Sequence, residues 1–213
     1  MESTIKHEES AKSAVINKNI NLFIDNKAVP AGSGDTLLLA ARKAGIHIPA
    51  LCYHEKIKPH GACRLCIVEI VKKGKSRIVA SCAYPAEEGL QVFTESLKIT
   101  EIRKHLVELY MALFPYNEEI KALAKKYGLK ETRYHKENNY CILCGLCVRY
   151  CAEVKKENAI GFIGRGTSKK VAFIPDSSYF KYCVNCMECM DICPTGVFPS
   201  NYGIERLPQT SDF

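Results

Sequence analysis

Two short stretches of the sequence carry closely spaced thiols. In NYCILCGLCVRYC, residues 139–151, four cysteines follow one another at the spacing CxxCxxCxxxC. The stretch KYCVNCMECMDICP, residues 181–194, repeats that spacing. A loop of this kind presents several thiolates to one point, and thiolates are ligands of soft metal centres. The repeat therefore predicts two inorganic centres held by cysteine.

A cubane [4Fe-4S] cluster needs four thiolates, of which a CxxCxxC loop supplies three. The two stretches resemble the motifs of two-cluster bacterial ferredoxins, in which the last Cys of each motif ligates the other cluster and is often followed by Pro. On that pattern one cluster takes Cys141, Cys144, Cys147 and Cys193, and the other takes Cys151, Cys183, Cys186 and Cys189. Pro194 follows Cys193, whereas Ala152 follows Cys151, a departure that leaves the number of ligands unchanged.

Two other uses of cysteine compete with this interpretation. Structural zinc also takes four thiolates, but it is usually held by two CxxC pairs separated by a longer stretch. Disulfides are disfavoured because the N-terminal residues contain no uninterrupted apolar segment of the kind that directs secretion, so we expect a cytoplasmic protein with reduced thiols. Twelve cysteines in such a compartment indicate metal ligands.

The remaining cysteines are spaced differently, at Cys52, Cys63, Cys66 and Cys82. The surrounding stretches TLLLAARKAGIHIPALCYHEKIKPHGACRLCIVEI, VASCAYP and GLQVFTES resemble the [2Fe-2S] domain that opens the large iron–sulfur subunit of respiratory complex I. The same domain occurs in diaphorase small subunits of NAD-reducing hydrogenases, in related formate dehydrogenases and in [FeFe]-hydrogenases. The resemblance implies a β-grasp, plant-ferredoxin-like fold and a [2Fe-2S] cluster ligated by these four cysteines.

The resemblance covers about residues 20–200 but is interrupted. Most of these relatives carry a further cubane, held by one His and three Cys, between the two parts, whereas residues 100–140 of this chain contain no cysteine. We therefore expect that cluster to be absent. His135 is the only nearby candidate ligand, and both cubanes already have four thiolates. His54 and His60 lie in the [2Fe-2S] loop, where solvated histidines are favoured over residues that tune the cluster.

The elements that must position these thiols form an α+β chain. INLFIDNKAVPAG alternates apolar and polar residues about Asp25-Asn26 and predicts a hairpin. A helix is expected from an Asp35 N-cap to Gly45, with Leu37, Ala41 and Ala44 facing a sheet. Further strands are expected at 66–71, 77–81 and 90–94, with VKKGKSR as an exposed hairpin turn between the first two. Gly61, Ala62 and Gly145 are small enough for backbone N–H groups to approach the cluster sulfurs.

Two helices separate the cysteine-bearing regions. Residues 98–113 carry a predicted apolar face of Ile99, Ile102, Leu106, Leu109 and Leu113, and NEEIKALAKKYG predicts a second helix that ends at Gly128. GFIGRGTSKK lacks the order of glycines that binds dinucleotides and is expected to be a hairpin or loop. The expected organisation is a flexible leader at 1–18, a [2Fe-2S] domain at 19–97, a helical linker at 98–134, a two-[4Fe-4S] domain at 135–200 and a tail at 201–213.

Composition supports an electron carrier more than a nucleic-acid-binding protein. The formal net charge is +7 with every thiol counted as neutral, and three clusters carrying about −2 each would lower it to about +1. No flavin or nicotinamide fold, catalytic nucleophile or apolar segment long enough to span a membrane is evident. A sensory or structural cluster in a nucleic-acid enzyme is disfavoured because no nuclease, helicase or glycosylase motif is found.

The sequence thus predicts a non-catalytic electron-relay subunit of a cytosolic NAD(P)-linked oxidoreductase complex. Its expected partners are a flavin- and NAD(P)-binding iron–sulfur subunit and a metal-containing catalytic subunit of hydrogenase, formate dehydrogenase or aldehyde oxidoreductase type. The alternative is a freely diffusing polyferredoxin, although free carriers tend to be smaller and acidic.

Overall fold

A five-stranded mixed sheet forms the N-terminal half of the molecule. The computed structural model describes residues 19–135, 141–173 and 186–196; the expected leader and tail lie outside these ranges. The strands are β1 (Asn19–Ile24), β2 (Lys27–Gly32), β3 (Ile67–Lys72), β4 (Lys75–Ala80) and β5 (Gln91–Phe93). Their order across the sheet is β2-β1-β5-β3-β4.

Two antiparallel hairpins flank the short central strand of this sheet. The hairpin of β1 and β2 turns at Asp25 and Asn26, and that of β3 and β4 turns at Lys73 and Gly74, all four with positive φ. Strand β5 pairs parallel with β1 and antiparallel with β3. Both predicted hairpins are confirmed, and the arrangement agrees with the expected β-grasp fold.

Helix α1 (Leu37–Lys43) packs on the sheet through side chains that are fully buried. Its N-cap is Thr36, whose hydroxyl accepts a hydrogen bond from the Leu39 N–H. The prediction of Asp35 as the N-cap was therefore wrong by one residue, because the Asp35 carboxylate instead accepts from the Gly32 N–H and the Lys43 ammonium. Leu37 and Ala41 are buried as predicted, but Ala44 is exposed, because the helix ends at Lys43 and Ala44 is its C-cap.

Helices α2 (Leu97–Leu113) and α3 (Glu118–Lys126) follow the sheet, with N-caps at Ser96 and Asn117. Both helices were predicted, but the buried face of α2 was predicted only in part. Leu106 and Leu113 are half-buried and pack against the apolar core as expected. Ile99 is buried as expected, whereas Ile102 and Leu109 are exposed. The buried side chains of α2 follow a stripe that is rotated from the predicted one and consists of Ile99, Arg103, Val107, Glu108 and Ala112.

The cysteine-rich half contains short elements. Helix α4 (Leu146–Tyr150) continues into a π-helical turn (Cys151–Lys155), followed by strands β6 (Ile160–Ile163) and β7 (Lys170–Phe173) and helix α5 (Glu188–Asp191). β6 and β7 form an antiparallel hairpin, as expected for GFIGRGTSKK. Among the described residues, no helix has the length and apolar character needed to cross a membrane.

Candidate iron–sulfur sites

The four N-terminal thiols come together at the end of the sheet. Cys52 and Cys63 lie in the long segment between α1 and β3, Cys66 precedes β3, and Cys82 follows β4. All four are buried and none is in a disulfide. Within the described residues no three His, Cys, Asp or Glu side chains surround one metal-ion position. The thiols instead form two hydrogen-bonded pairs, which is a donor set suited to a core of two irons with two thiolates on each.

Each pair contains one thiol whose proton is easily lost. A hydrogen bond from the Cys52 thiol lowers the pKa of Cys63 to about 6, and the same hydrogen bond together with burial raises the pKa of Cys52. In the second pair the Cys82 thiol lowers the pKa of Cys66 to about 7, while the pKa of Cys82 is raised. Metal ligation requires thiolates, so a positive centre binding here would displace the remaining protons.

Backbone N–H groups point at these sulfurs. The Cys63 N–H donates a 3.3 Å hydrogen bond to the Cys52 Sγ, and backbone hydrogen bonds at Leu65 help to lower the pKa of Cys63. The loop needs unusual backbone angles, with φ of 68° at Gly61 and 59° at Arg64. A Cβ on Gly61 would lie in ordinary van der Waals contact, 4.0 Å from the Cys82 Sγ, so the positive φ and not a lack of space favours glycine here. The expected approach of backbone N–H groups to a cluster at this position stays a prediction.

Helix α2 contacts the backbone of the same loop. The Arg103 guanidinium donates to the Leu65 and Ile67 carbonyl oxygens at 3.0 and 2.7 Å, on either side of Cys66. The Tyr110 hydroxyl donates to the Cys63 carbonyl oxygen at 2.8 Å. Neither contact was predicted from the sequence, because each joins residues far apart in the chain. No local pattern would have identified Arg103, because the predicted apolar face of α2 did not include it.

The C-terminal thiols gather around the β6–β7 hairpin. Cys147 and Cys151 are buried with Ala159, Ile160 and Val171, and the following thiols pack against them: Cys141, Cys189 and Cys193. Burial raises the pKa of Cys141 and of Cys144, the latter to about 11, with the charge of Cys193 adding to both. Cys193 therefore lies beside the first motif although it belongs to the second.

The last cysteine of the first motif, Cys151, lies in this same apolar cluster. The Cys151 Sγ accepts a 3.2 Å hydrogen bond from the Ala159 N–H and shares the apolar cluster with Cys189. Cys186 is half-buried, and Cys183 lies outside the described residues. Gly145, with φ of 76°, opens α4; a Cβ there would lie 3.3 Å from the Phe162 ring, so a larger residue would press on the hairpin.

The two halves meet at their thiols. Cys144 and Ile142 pack against the apolar cluster that contains Cys52 and Cys63, and the charge of Cys63 contributes to the raised pKa of Cys144. Nearby, the Lys58 N–H donates to a Glu153 carboxylate oxygen at 3.3 Å. The N-terminal thiol site and the first C-terminal motif are thus neighbours with apolar side chains between them.

The three candidate histidines occupy different positions. The His54 ring meets the Tyr150 ring edge to face at 5.5 Å, and its Nδ1 accepts from the Lys56 N–H, so it joins the two halves. It is half-buried, which differs from the solvated loop residue that was favoured. His60 and His135 are exposed.

Two family models match the chain in succession. Residues 17–96 match a 2Fe-2S iron–sulfur cluster binding domain. Residues 133–199 match the ferredoxin-like domain of NADH-quinone oxidoreductase subunit 3. The region between them contains α2, α3 and the turn that follows α3.

Curated proteins similar to this chain are much longer. An NADH-quinone oxidoreductase subunit of Rhizobium meliloti is 30% identical over 86% of this chain and 24% of its own length. The NADH-ubiquinone oxidoreductase 75 kDa subunit of Reclinomonas americana is 29% identical over 85% of this chain and 29% of its own length. The alpha subunit of an NADPH-Fe(3+) oxidoreductase of Geobacter sulfurreducens is 31% identical over 85% of this chain and 24% of its own length. The chain thus spans about a quarter of the length of these relatives.

A solved structure covers the chain more evenly. A chain in the crystal structure of NAD+-reducing [NiFe]-hydrogenase in the H2-reduced state is 34% identical, with a TM-score of 0.63, over 75% of this chain and 76% of its own. With the two domain matches, this similarity confirms the resemblance found in the sequence. The chain belongs to the family of iron–sulfur electron-transfer subunits that includes the complex I 75 kDa subunit, its bacterial NADH-quinone oxidoreductase counterparts and a subunit of NAD+-reducing hydrogenase.

Proposed function

We propose that the chain relays single electrons between a flavin- and NAD(P)-binding iron–sulfur subunit and a metal-containing catalytic subunit. The observation that carries this proposal is the position of Cys144 against the cluster of Cys52 and Cys63. Two redox sites that share an apolar boundary within one chain can exchange electrons without a diffusing carrier. The catalytic subunit is of hydrogenase, formate dehydrogenase or aldehyde oxidoreductase type.

Three clusters are proposed, and each supplies one-electron redox chemistry when bound. A [2Fe-2S] cluster in the domain of residues 19–97 is held by Cys52, Cys63, Cys66 and Cys82. Two [4Fe-4S] clusters in the domain of residues 135–200 are held by the crossed sets Cys141, Cys144, Cys147, Cys193 and Cys151, Cys183, Cys186, Cys189. The neighbouring positions of Cys193, Cys141 and Cys144 support the crossing.

The protein's own contribution is to surround the thiolates with donors and apolar side chains. Backbone N–H groups donate to Cys52 and Cys151, which stabilises negative charge on sulfur. Burial of Cys63, Cys66 and Cys147 excludes water from the sites. The low solvent exposure of these thiols protects the sites from water. Partner subunits would dock on the protein surface that covers them.

The proposed partners follow from what a relay requires at its two ends. The proposal places the flavin and nicotinamide on a separate subunit and assigns no catalytic residue to this chain. The helical linker of residues 98–134 holds the two cluster domains together. A cytoplasmic setting suits the thiols, since none of the described cysteines forms a disulfide.

Metal analysis tests the cluster content. Protein purified anaerobically should contain about ten irons per chain and a similar amount of acid-labile sulfide. Zinc in place of iron, without labile sulfide, would overturn the proposal. The result is independent of any partner, so it separates the cluster assignment from the identity of the complex.

An anaerobic pull-down from the native source tests the subunit role. A stoichiometric flavoprotein together with a subunit containing nickel, molybdenum or tungsten is the expected result, and that metal would identify the substrate class. Recovery of the chain alone, fully loaded with iron, would instead favour the diffusing carrier.

A further inference from the structure

Arg103 is a fully buried cation on α2, with no exposed surface. Its guanidinium donates to three backbone carbonyl oxygens, those of Leu65, Ile67 and Thr94, at 3.0, 2.7 and 3.1 Å. The same group contacts the Glu95 carboxylate at 3.0 Å and the Tyr127 hydroxyl at 3.2 Å. Removing a guanidinium from water is costly unless its donors are satisfied, and here the backbone satisfies most of them.

The positive charge of Arg103 is only partly neutralised. Glu95 is the carboxylate that pairs with it, and Glu95 also accepts from the Lys126 ammonium at 2.6 Å. One carboxylate therefore serves two cations. Glu95 is also partly exposed, so solvent screens its charge more than it screens that of Arg103. A net positive electrostatic potential therefore remains around the buried guanidinium of Arg103.

That potential acts on the backbone of the N-terminal thiol site. The guanidinium binds the carbonyl oxygen of Leu65, which belongs to the peptide unit that precedes Cys66, and that of Ile67, which lies one peptide unit beyond it. Because the C=O and N–H of a trans peptide point in opposite directions, holding the Leu65 carbonyl turns the Cys66 N–H away from α2. Arg103 thus fixes the loop and brings positive charge close to it.

We propose that Arg103 is a positioning residue that sets the reduction potential of the [2Fe-2S] site through its buried charge, with Glu95 as the opposing group. The inference rests on the proposed ligation by Cys52, Cys63, Cys66 and Cys82. Reduction adds one electron to an already anionic centre. A buried cation stabilises the reduced form and raises the potential, and a neighbouring carboxylate lowers it.

Three variants and one control separate charge from structure. Arg103→Met removes the charge at similar length, Arg103→Lys keeps the charge but not the planar fork, and Glu95→Gln removes the opposing charge while leaving the hydrogen bonds from Arg103 to the carbonyls in place. Lys121→Met removes an exposed cation on α3 that pairs with Glu118. Iron, labile sulfide and the spectrum of the [2Fe-2S] cluster are measured first in each protein, followed by an anaerobic redox titration.

The expected shifts have opposite signs. Arg103→Met should raise the ratio of oxidised to reduced [2Fe-2S] cluster about tenfold at a fixed potential, a decrease of about 59 mV. Glu95→Gln should lower that ratio, Arg103→Lys should shift it less than Arg103→Met, and Lys121→Met should leave it unchanged. If Arg103→Met does not load iron, the inference is tested by Glu95→Gln alone. A higher reduction potential in Glu95→Gln than in the wild type supports it, and an equal or lower one contradicts it.

Three results would overturn the inference, and the third is distinguishable from the first two. The first is an intact [2Fe-2S] cluster with the same potential in Glu95→Gln and the wild type, and the second is a shift of the same sign in Arg103→Met and Glu95→Gln. Either result would show that Arg103 has only a structural role, and neither would affect the proposed relay. A wild-type chain without a [2Fe-2S] cluster would overturn the ligation and the inference together.

Discussion

The side-chain amide of Asn117 donates a 2.6 Å hydrogen bond to the carbonyl oxygen of Pro194. Asn117 is also the N-cap of α3, where its Oδ1 accepts from the Ile120 N–H. One side chain therefore joins the helical linker to the residue that follows Cys193. This contact fixes the end of the second cysteine motif to the start of α3.

Substitution of Asn117 should separate these two roles. Asn117→Ser keeps an N-cap but cannot reach Pro194, whereas Asn117→Ala loses both contacts and about 1 kcal/mol of helix stability. We expect both variants to lose iron from the first cubane faster in air than the wild type does. Only Asn117→Ala should also lower the thermal unfolding temperature clearly, and equal air stability of all three proteins would contradict this role of the contact.

Loss of the Tyr110 hydroxyl should loosen the N-terminal thiol loop. Tyr110→Phe leaves the Cys63 carbonyl oxygen without its 2.8 Å donor, at a cost of about 1 kcal/mol. The half-life of the [2Fe-2S] absorption in moderate urea under argon should shorten by up to about fivefold. Tyr116→Phe is the matched control, because Tyr116 is 75% exposed. A half-life that changes equally in both variants would argue against a specific effect.

Removal of one N-terminal ligand should affect one cluster. Cys52→Ala breaks the pair with Cys63 and should abolish the [2Fe-2S] signal in electron paramagnetic resonance, lowering the iron content by about two per chain. Both cubane signals should persist, since Cys52 belongs to neither proposed set of cubane ligands. Retention of the [2Fe-2S] signal would show that Cys52 is not a ligand.

The crossed ligation predicts different outcomes for the two terminal cysteines. Cys193→Ala should damage the first cubane, because Cys193 lies beside Cys141 and Cys144. Cys151→Ala should damage the second cubane despite its place in the first motif. The two cubanes can be distinguished by spin coupling to the [2Fe-2S] cluster, because Cys144 of the first cubane borders that site. Coupling lost in Cys151→Ala and kept in Cys193→Ala would disprove the crossing.

Local patterns in the sequence were sufficient for most of the fold. The hairpin at Asp25-Asn26 and the helices that precede Gly45 and Gly128 depend on neighbouring residues, and they occur where they were predicted. The family resemblance implied that the four N-terminal thiols belong together, and the structure brings them into two adjacent pairs.

Contacts between distant residues were beyond such patterns. The apolar periodicity of α2 predicted a face with Ile102 and Leu109, both of which are exposed. The helix is rotated so that Arg103 is buried and donates to the carbonyl oxygens of Ile67 and Leu65. These acceptors lie 36 and 38 positions earlier in the chain. The sequence pattern of α2 contains no information about those distant acceptors. The contact of Cys144 with the Cys63 site depends in the same way on how the two halves pack.

The most direct test of the relay is spin coupling between the [2Fe-2S] cluster and the first cubane. Fully reduced protein, prepared anaerobically, is examined by electron paramagnetic resonance, with Cys52→Ala as the reference that lacks the [2Fe-2S] spin. Because Cys144 packs against the cluster of Cys52 and Cys63, we expect the [2Fe-2S] signal to relax faster than an isolated one and the cubane spectrum to sharpen in Cys52→Ala. A [2Fe-2S] signal that relaxes as an isolated spin, with an unchanged cubane spectrum in Cys52→Ala, would contradict the proposed relay.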